Sequence, residues 1–135
     1  MAGGLEGPRL ELYLPATGRA VAQARAAVDR LEALNRHPGI RFAVRLLVTE
    51  LFTNAVKHGV RGDDARVRVA IAVEPTHVRA EVADRGHGFE PGPVATPDAS
   101  GESGRGLAFL DALASRWGVI RKGETCVWFE LDLDV

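Results

Sequence analysis

Residues 49–59 read TELFTNAVKHG, and this stretch carries the strongest information on fold and chemistry. Glu50, Asn54 and His58 recur at steps of four, so on a helix they lie within an arc of about 80°. Large apolar residues surround them, which predicts a largely buried helix over residues 40–58. Two interpretations stay open. The triplet is either the polar edge of an amphipathic helix, or the lip of a pocket where Asn54 offers oxygen to Mg²⁺ and Glu50 accepts a proton.

The rest of the chain predicts a sheet and two further helices. Thr17 can cap a helix over residues 17–35, Gly59 is placed to end the second helix, and a third begins near Gly104. Short turns between neighbouring strands favour a mixed, mostly antiparallel sheet. The expected fold is therefore an α/β chain of the α+β two-layer sandwich type, with three helices on one face. Alternation of apolar and polar residues predicts strands at residues 10–14, 67–73, 78–82, 117–121 and 125–133.

A second motif, Asp84-Arg85-Gly86-His87-Gly88, follows a predicted strand. Strand parity points Asp84 to the face that the helices cover, where a carboxylate without a partner is costly to desolvate. The exocyclic amine of a ligand is a suitable donor, and Gly86 and Gly88 let the backbone approach a flat ligand closely. The alternative is an ordinary turn, because sequences of the form D-x-G-x-G are common.

A third motif is the glycine-rich run Gly101-Glu102-Ser103-Gly104-Arg105-Gly106-Leu107, which leads into the third predicted helix. Backbone N–H groups at the start of a helix can hold phosphates, and Arg105 adds a positive charge that can reach one. The alternative is a flexible linker that ends at a glycine helix start.

Thr125 begins the last predicted strand, after a hairpin turn at Lys122-Gly123. Parity places it on the inward face with Val127, where its hydroxyl needs a hydrogen-bond partner. A ligand contact and an ordinary β-branched strand residue are equally good interpretations.

Composition limits the classes of function. The 135 residues have the length and make-up of one soluble globular domain, over residues 1–135 with a flexible lead-in at residues 1–8. A net charge of -1 without a run of Lys or Arg gives direct nucleic-acid binding little electrostatic support. Cys126 is the single cysteine, which excludes an internal disulfide. Without a signal peptide or a membrane-spanning stretch, we expect a cytoplasmic protein with no membrane contact.

In this order the three motifs resemble the N, G1 and G2 boxes of the GHKL (Bergerat-fold) ATPase superfamily, which includes histidine-kinase catalytic domains, gyrase-type ATPases and anti-sigma-factor serine kinases. The resemblance covers residues 10–133. It implies ATP bound with Mg²⁺ on Asn54, adenine read by Asp84 with help from Thr125, and a lid loop at residues 89–105 over the phosphates. The cofactor site that it implies comprises Asn54, His58, Asp84, Gly86, Gly88, Gly104, Arg105, Gly106, Leu107 and Thr125.

Within the superfamily, residues 49–59 and the run GLAFLDAL at residues 106–113 look like the anti-sigma-factor/serine-protein-kinase group. This resemblance implies a protein that binds a sigma factor, phosphorylates a serine of an anti-sigma-factor antagonist (STAS) protein and forms a homodimer. It assigns Glu50 as the general base. It also matches Arg25 to the group's partner-contacting arginine, whereas the residues alone favour a solvated helix charge at that position.

Glu102 departs from the pattern of that group, whose members carry arginine just before the Ser-Gly of the third box. An acid there repels the γ-phosphate, which weakens kinase activity more than ATP binding, although Arg105 can compensate. One alternative is therefore a non-catalytic ATP-dependent protein-binding module of the same fold. Another is a small α/β interaction domain that binds no nucleotide.

Overall fold

The computed structural model describes residues 8–59, 64–84 and 104–133, and the side chains of the last segment from residue 108. Five strands and three α-helices follow one another in these segments, and a 3₁₀ helix, Glu32–Leu34, precedes the second α-helix. The elements are β1 (Arg9–Pro15), α1 (Ala20–Asp29), α2 (Pro38–His58), β2 (Arg66–Val73), β3 (His77–Asp84), α3 (Gly104–Leu113), β4 (Arg116–Arg121) and β5 (Thr125–Asp132).

The strands form one sheet in the order β1-β2-β3-β5-β4, and every described pairing is antiparallel. The chain leaves β3, passes through α3, joins the sheet at its β4 edge and then turns back. The turn uses Gly123 at a φ of 73°, a left-handed conformation that favours glycine. As a result β5 lies between β3 and β4. Because α1 and α2 pack on the same side of this sheet and α3 packs on α2, the predicted two-layer sandwich is confirmed.

The helix α2 has 21 residues and joins the two layers. Pro38 lies in its first turn, where the missing N–H would have no helical partner anyway. At the other end the Gly59 N–H donates to the Ala55 carbonyl oxygen at 2.8 Å. One face of the helix closes the core against the sheet. The buried residues of that face are Val44, Leu47, Val48, Leu51 and Phe52.

The prediction that α2 is buried on almost every side is wrong for one face. Phe42 is 64 % exposed, and Leu46 and Val56 are only partly buried. The sheet covers one side of the helix, and the opposite side is only partly covered. No helix in the described segments is long and apolar enough to cross a membrane.

The prediction of a single helix over residues 17–35 capped by Thr17 is also wrong. Arg19 occupies the N-cap position of α1, and no side chain caps the helix there. Leu31 is extended, at φ -78° and ψ 94°, so the α-helix stops and the chain continues as the 3₁₀ helix. This break turns both Leu31 and Leu34 into the core, where they are 7 % and 0 % exposed.

Ion pairs cover the sheet face that points away from the helices. Arg68 lies 3.1 Å from a Glu81 oxygen and 3.0 Å from a Glu124 oxygen. Arg116 donates to Glu130 at 2.7 Å and holds the pKa of that carboxyl below its ordinary value. Because this face of the sheet is charged, the apolar core lies on the helix side, and any pocket that borders the core lies there too.

Phe52 and Phe42 allow a matched test of this core, because both lie on α2 and differ only in burial. Phe52→Ala should lower the free energy of unfolding by about 3–5 kcal/mol, since it removes a large side chain from closed packing. Phe42→Ala should change it by less than about 0.5 kcal/mol. Urea unfolding followed by circular dichroism measures both values. Equal losses in the two variants would contradict this placement of the core.

Candidate functional site

Three polar side chains predicted to share one side of a helix do so on α2. Glu50 and Asn54 are partly buried, whereas His58 is exposed. Successive members lie about 6 Å apart along the helix axis. The row borders the buried Leu47 and Leu51. It therefore starts at the margin of the core and ends in solvent, so Glu50 and Asn54 are better placed to line a pocket than His58.

Asp84 is the last residue of β3 and lies against the end of α2. A Cβ atom built on Gly59 would lie 1.8 Å from Oδ2 and 2.5 Å from Cγ of Asp84. Asp84 also shares its strand face with Val82, which is 3 % exposed in the core. The carboxylate thus points to the helix side, as parity predicted. Asn54 precedes Gly59 by five residues, which is about 7.5 Å along the axis of α2.

Thr125 is the register partner of Asp84 on the neighbouring strand. Directly opposite residues of antiparallel strands have Cβ atoms about 4.5–5.5 Å apart, so the hydroxyl and the carboxylate lie side by side on one face. Val67 on β2 and Arg121 on β4 complete this row across the sheet. The structure therefore brings Asp84 and Thr125 together, although 40 residues separate them in the sequence.

The glycine-rich run opens α3, whose second half contacts both layers. Leu110 is fully buried, and α3 packs against α2. The Trp117 indole Nε1 donates to Asp111 Oδ1 at 2.9 Å, which ties α3 to β4. Backbone N–H groups at such a helix start suit an anion. The first turn consists of Gly104, Arg105, Gly106 and Leu107, of which the backbone alone is described.

Arg25 on α1 is exposed and contacts α2 beside Glu50. Its Nε donates to Thr49 Oγ1 at 3.2 Å, and that hydroxyl donates to the Arg45 carbonyl oxygen at 2.7 Å. Thr49 immediately precedes Glu50 in the sequence. Arg25 is thus a surface charge held against α2, rather than a side chain surrounded by solvent alone.

Several predicted residues lie outside the described part of the chain. Gly86, Gly88 and Glu102 are among them, as are residues 89–103 of the predicted lid loop and residues 1–7 of the predicted lead-in. Their roles stay predictions. The last two residues of the predicted lid already belong to α3.

Two residues next to the site were not predicted to take part in it. Gly59 was expected only to end a helix, yet it also makes room for Asp84. Arg121 ends the row that contains Asp84 and Thr125. The alternation of residues on β4 predicts that Arg121 points to the same inward face as Val119. No local sequence pattern predicts that Gly59 contacts Asp84.

The chemistry of the site rests on oxygen atoms. Within the described segments, the side chains of Glu50 and Asn54 make no hydrogen bond or ion pair with another residue. Those segments also contain no group of three or more His, Cys, Asp or Glu residues that could hold a metal ion. A magnesium ion here would take the Asn54 oxygen and complete its shell with phosphate oxygens and water, as this ion commonly does.

Cys126, next to Thr125, does not extend this chemistry. Burial is the main cause that raises the pKa of its thiol to about 11. A thiol with such a pKa stays protonated at neutral pH, and the thiolate is the nucleophilic form. Glu50 stays the general base that the family resemblance implies.

These residues fit a nucleotide. Asp84 and Thr125 offer a carboxylate and a hydroxyl at one end, and the Asp84 carboxylate occupies the space that a side chain at residue 59 would need. Asn54 lies between this end and Glu50 on α2. An adenine amine would bond the Asp84 carboxylate, while the phosphates would extend toward Asn54 and the start of α3.

Asp84→Asn tests the base end of the site. Hydrogen bonds to a charged acceptor contribute about 1.5–3 kcal/mol, so we expect Mg-ATP affinity to fall about 10- to 100-fold in titration calorimetry. Glu81→Gln is the matched control, because Glu81 lies on the same strand and bonds Arg68 on the opposite face. A loss in the control as large as in Asp84→Asn would contradict a direct contact between Asp84 and the nucleotide.

Comparison with known proteins agrees with this arrangement. A family described as histidine kinase-like ATPase domain matches residues 14–131, a range that includes all of α2, Asp84 and Thr125. The chain is also similar to an uncharacterized protein of Streptomyces coelicolor, with 41% identity over 80 residues, which are 57% of this chain and 72% of that relative. The resemblance to the GHKL superfamily is thereby confirmed. This chain belongs to the histidine kinase-like ATPase domain family, and that membership implies that it binds ATP.

Proposed function

We propose that this protein is an ATP-dependent serine kinase of the anti-sigma-factor type. Its substrate is a serine of an anti-sigma-factor antagonist (STAS) protein, and its second partner is a sigma factor. Family membership supports the nucleotide part of this proposal. The runs at residues 49–59 and 106–113, which look like those of the kinase group, support the rest.

The observation that carries the proposal is the position of Glu50. It lies one helical turn, about 6 Å, before Asn54, the residue that would hold magnesium next to the phosphates. Its side chain is partly buried and makes no hydrogen bond or ion pair within the described segments. A carboxylate with these properties is available to accept a proton from a group that attacks a phosphate.

In the proposed reaction, the serine hydroxyl gives its proton to the Glu50 carboxylate while its oxygen forms a bond to the γ-phosphorus of ATP. The bond from that phosphorus to the β–γ bridging oxygen breaks. The products are phosphoserine and ADP, and Glu50 afterwards releases the proton to water. Asn54 would hold a bound magnesium ion, whose charge would offset that of the phosphates and so favour the transfer.

Glu50→Gln should lower the rate of phosphoserine formation at least about 100-fold, because it removes the proton acceptor while keeping the shape of the side chain. Mg-ATP affinity should stay within about threefold of the wild-type value. The measurement is transfer from labelled ATP to a candidate antagonist, followed by phosphoserine identification by mass spectrometry. Glu32→Gln, at an exposed carboxylate of the 3₁₀ helix, is the control.

Two outcomes would overturn this assignment. Wild-type transfer by Glu50→Gln would remove Glu50 from the reaction. Absence of transfer to an antagonist that binds the protein, despite Mg-ATP binding, would contradict the kinase. It would favour the non-catalytic module, in which ATP changes partner affinity without phosphate transfer.

Arg25 supports a docking surface for the protein substrate next to Glu50. Its guanidinium is exposed and held against Thr49, one residue from the proposed base. An antagonist bound there would present its serine close to the carboxylate. A shared location for docking and chemistry is what transfer to a folded protein substrate requires.

Arg25→Ala should therefore raise the KM for the antagonist about 10-fold or more, with Mg-ATP affinity unchanged. Arg30→Ala, which removes an exposed arginine at the end of the same helix, is the matched control. Steady-state phosphotransfer at varied antagonist concentration separates the two variants. An unchanged KM in Arg25→Ala would place the docking surface elsewhere.

A further inference from the structure

Gly59 stands where only a residue without a side chain fits. Its φ of -90° is open to any residue, so the backbone conformation does not require glycine. The space around residue 59 is what requires glycine. A Cβ atom on Gly59 would lie 1.8 Å from Asp84 Oδ2 and 2.6 Å from the Ala55 carbonyl oxygen, and real Cβ atoms essentially never approach closer than 3.0 Å.

Two other described glycines of the helix layer are not crowded in this way. Gly39 lies in the first turn of the same helix, and Gly18 precedes α1. A Cβ atom on either would meet no heavy atom within 4 Å. Gly59 is thus distinguished by its contact with Asp84, and Gly39 offers a matched position on α2.

We propose that Gly59 is a positioning residue for base recognition, so that the preference of the site for adenine depends on the absence of a side chain at residue 59. The inference rests on the proposed contact between Asp84 and the adenine amine. An aspartate side chain is short, and β3 is paired with β2 and β5 at this residue, so its backbone has little freedom to yield. A methyl group at residue 59 displaces the carboxylate itself.

Displacement of the Asp84 carboxylate should weaken the binding of only those nucleotides that donate a hydrogen bond to it, because hydrogen bonds weaken steeply with distance and angle. Inosine triphosphate carries an oxygen where ATP carries the exocyclic amine, so it donates no hydrogen bond to Asp84 at that position. A purely structural role of Gly59 predicts equal loss of affinity for both nucleotides. A positioning role predicts loss for ATP alone.

Titration calorimetry with Mg-ATP and Mg-ITP on the full chain makes this comparison. We expect the wild type to bind ATP about 10- to 100-fold more tightly than ITP, the range for a hydrogen bond to a charged acceptor. Gly59→Ala should lose at least about 10-fold in ATP affinity and less than about threefold in ITP affinity. Gly39→Ala should keep both wild-type values. If the ratio of ATP affinity to ITP affinity in Gly59→Ala equals the wild-type ratio, the proposal is overturned. This holds also when the variant loses affinity for both nucleotides equally.

A second comparison covers the case in which Gly59→Ala unfolds. In an Asp84→Ala background the carboxylate is gone, so adding Gly59→Ala should lower the urea midpoint much less than it does in the wild type. A double variant that folds when Gly59→Ala alone does not would support the proposal equally. Equal losses in both backgrounds, or a double variant that also fails to fold, would assign the effect to Ala55 and overturn it.

These results are distinguishable from a failure of the kinase proposal, because the measurement is binding. If no phosphoserine forms but the ATP-to-ITP ratio collapses in Gly59→Ala, the positioning role stands without the kinase. If the wild type does not distinguish ATP from ITP, the roles of Asp84 and Gly59 are both overturned, whatever the result of the transfer assay.

Discussion

The packing of α2 against the sheet is the constraint on which the arrangement of the site depends. Five large apolar side chains of this helix are buried between the two layers. Each contributes about 1.5–3 kcal/mol relative to an exposed position, so their burial sets the rotation of the helix. Once that rotation is set, Glu50 and Asn54 fall at the margin of the core. The same packing directs the end of α2 to the end of β3.

The candidate site forms where three distant parts of the chain meet. Gly59 ends α2, Asp84 ends β3 and Thr125 begins β5. Insertion of β5 between β3 and β4 makes Thr125 the neighbour of Asp84, and the missing side chain at Gly59 admits the carboxylate. The base end of the site therefore combines a strand pairing with a helix contact. A change in either element would alter the proposed base recognition even where the core survived.

Different residues are assigned to nucleotide binding and to the proposed phosphate transfer. Family membership implies ATP binding, for which Asp84, Thr125 and Asn54 are the predicted residues. The proposed transfer depends on Glu50 alone as a proton acceptor. Arg25 joins α1 to α2 beside that residue through Thr49, so docking of a protein substrate and proton transfer would use neighbouring parts of one helix.

Periodicity in the sequence determined most of the fold. The alternation around Val82 and Thr125 and the steps from Glu50 to Asn54 already show which faces are buried, because a repeat of two or of 3.6 residues reflects burial directly. Tertiary structure alone decided the break at Leu31, the order of the strands, the exposure of Phe42, and the contact of Gly59 with Asp84. These features depend on what lies across from a residue in space, and neighbours distant in the chain leave no periodic signal in the local sequence.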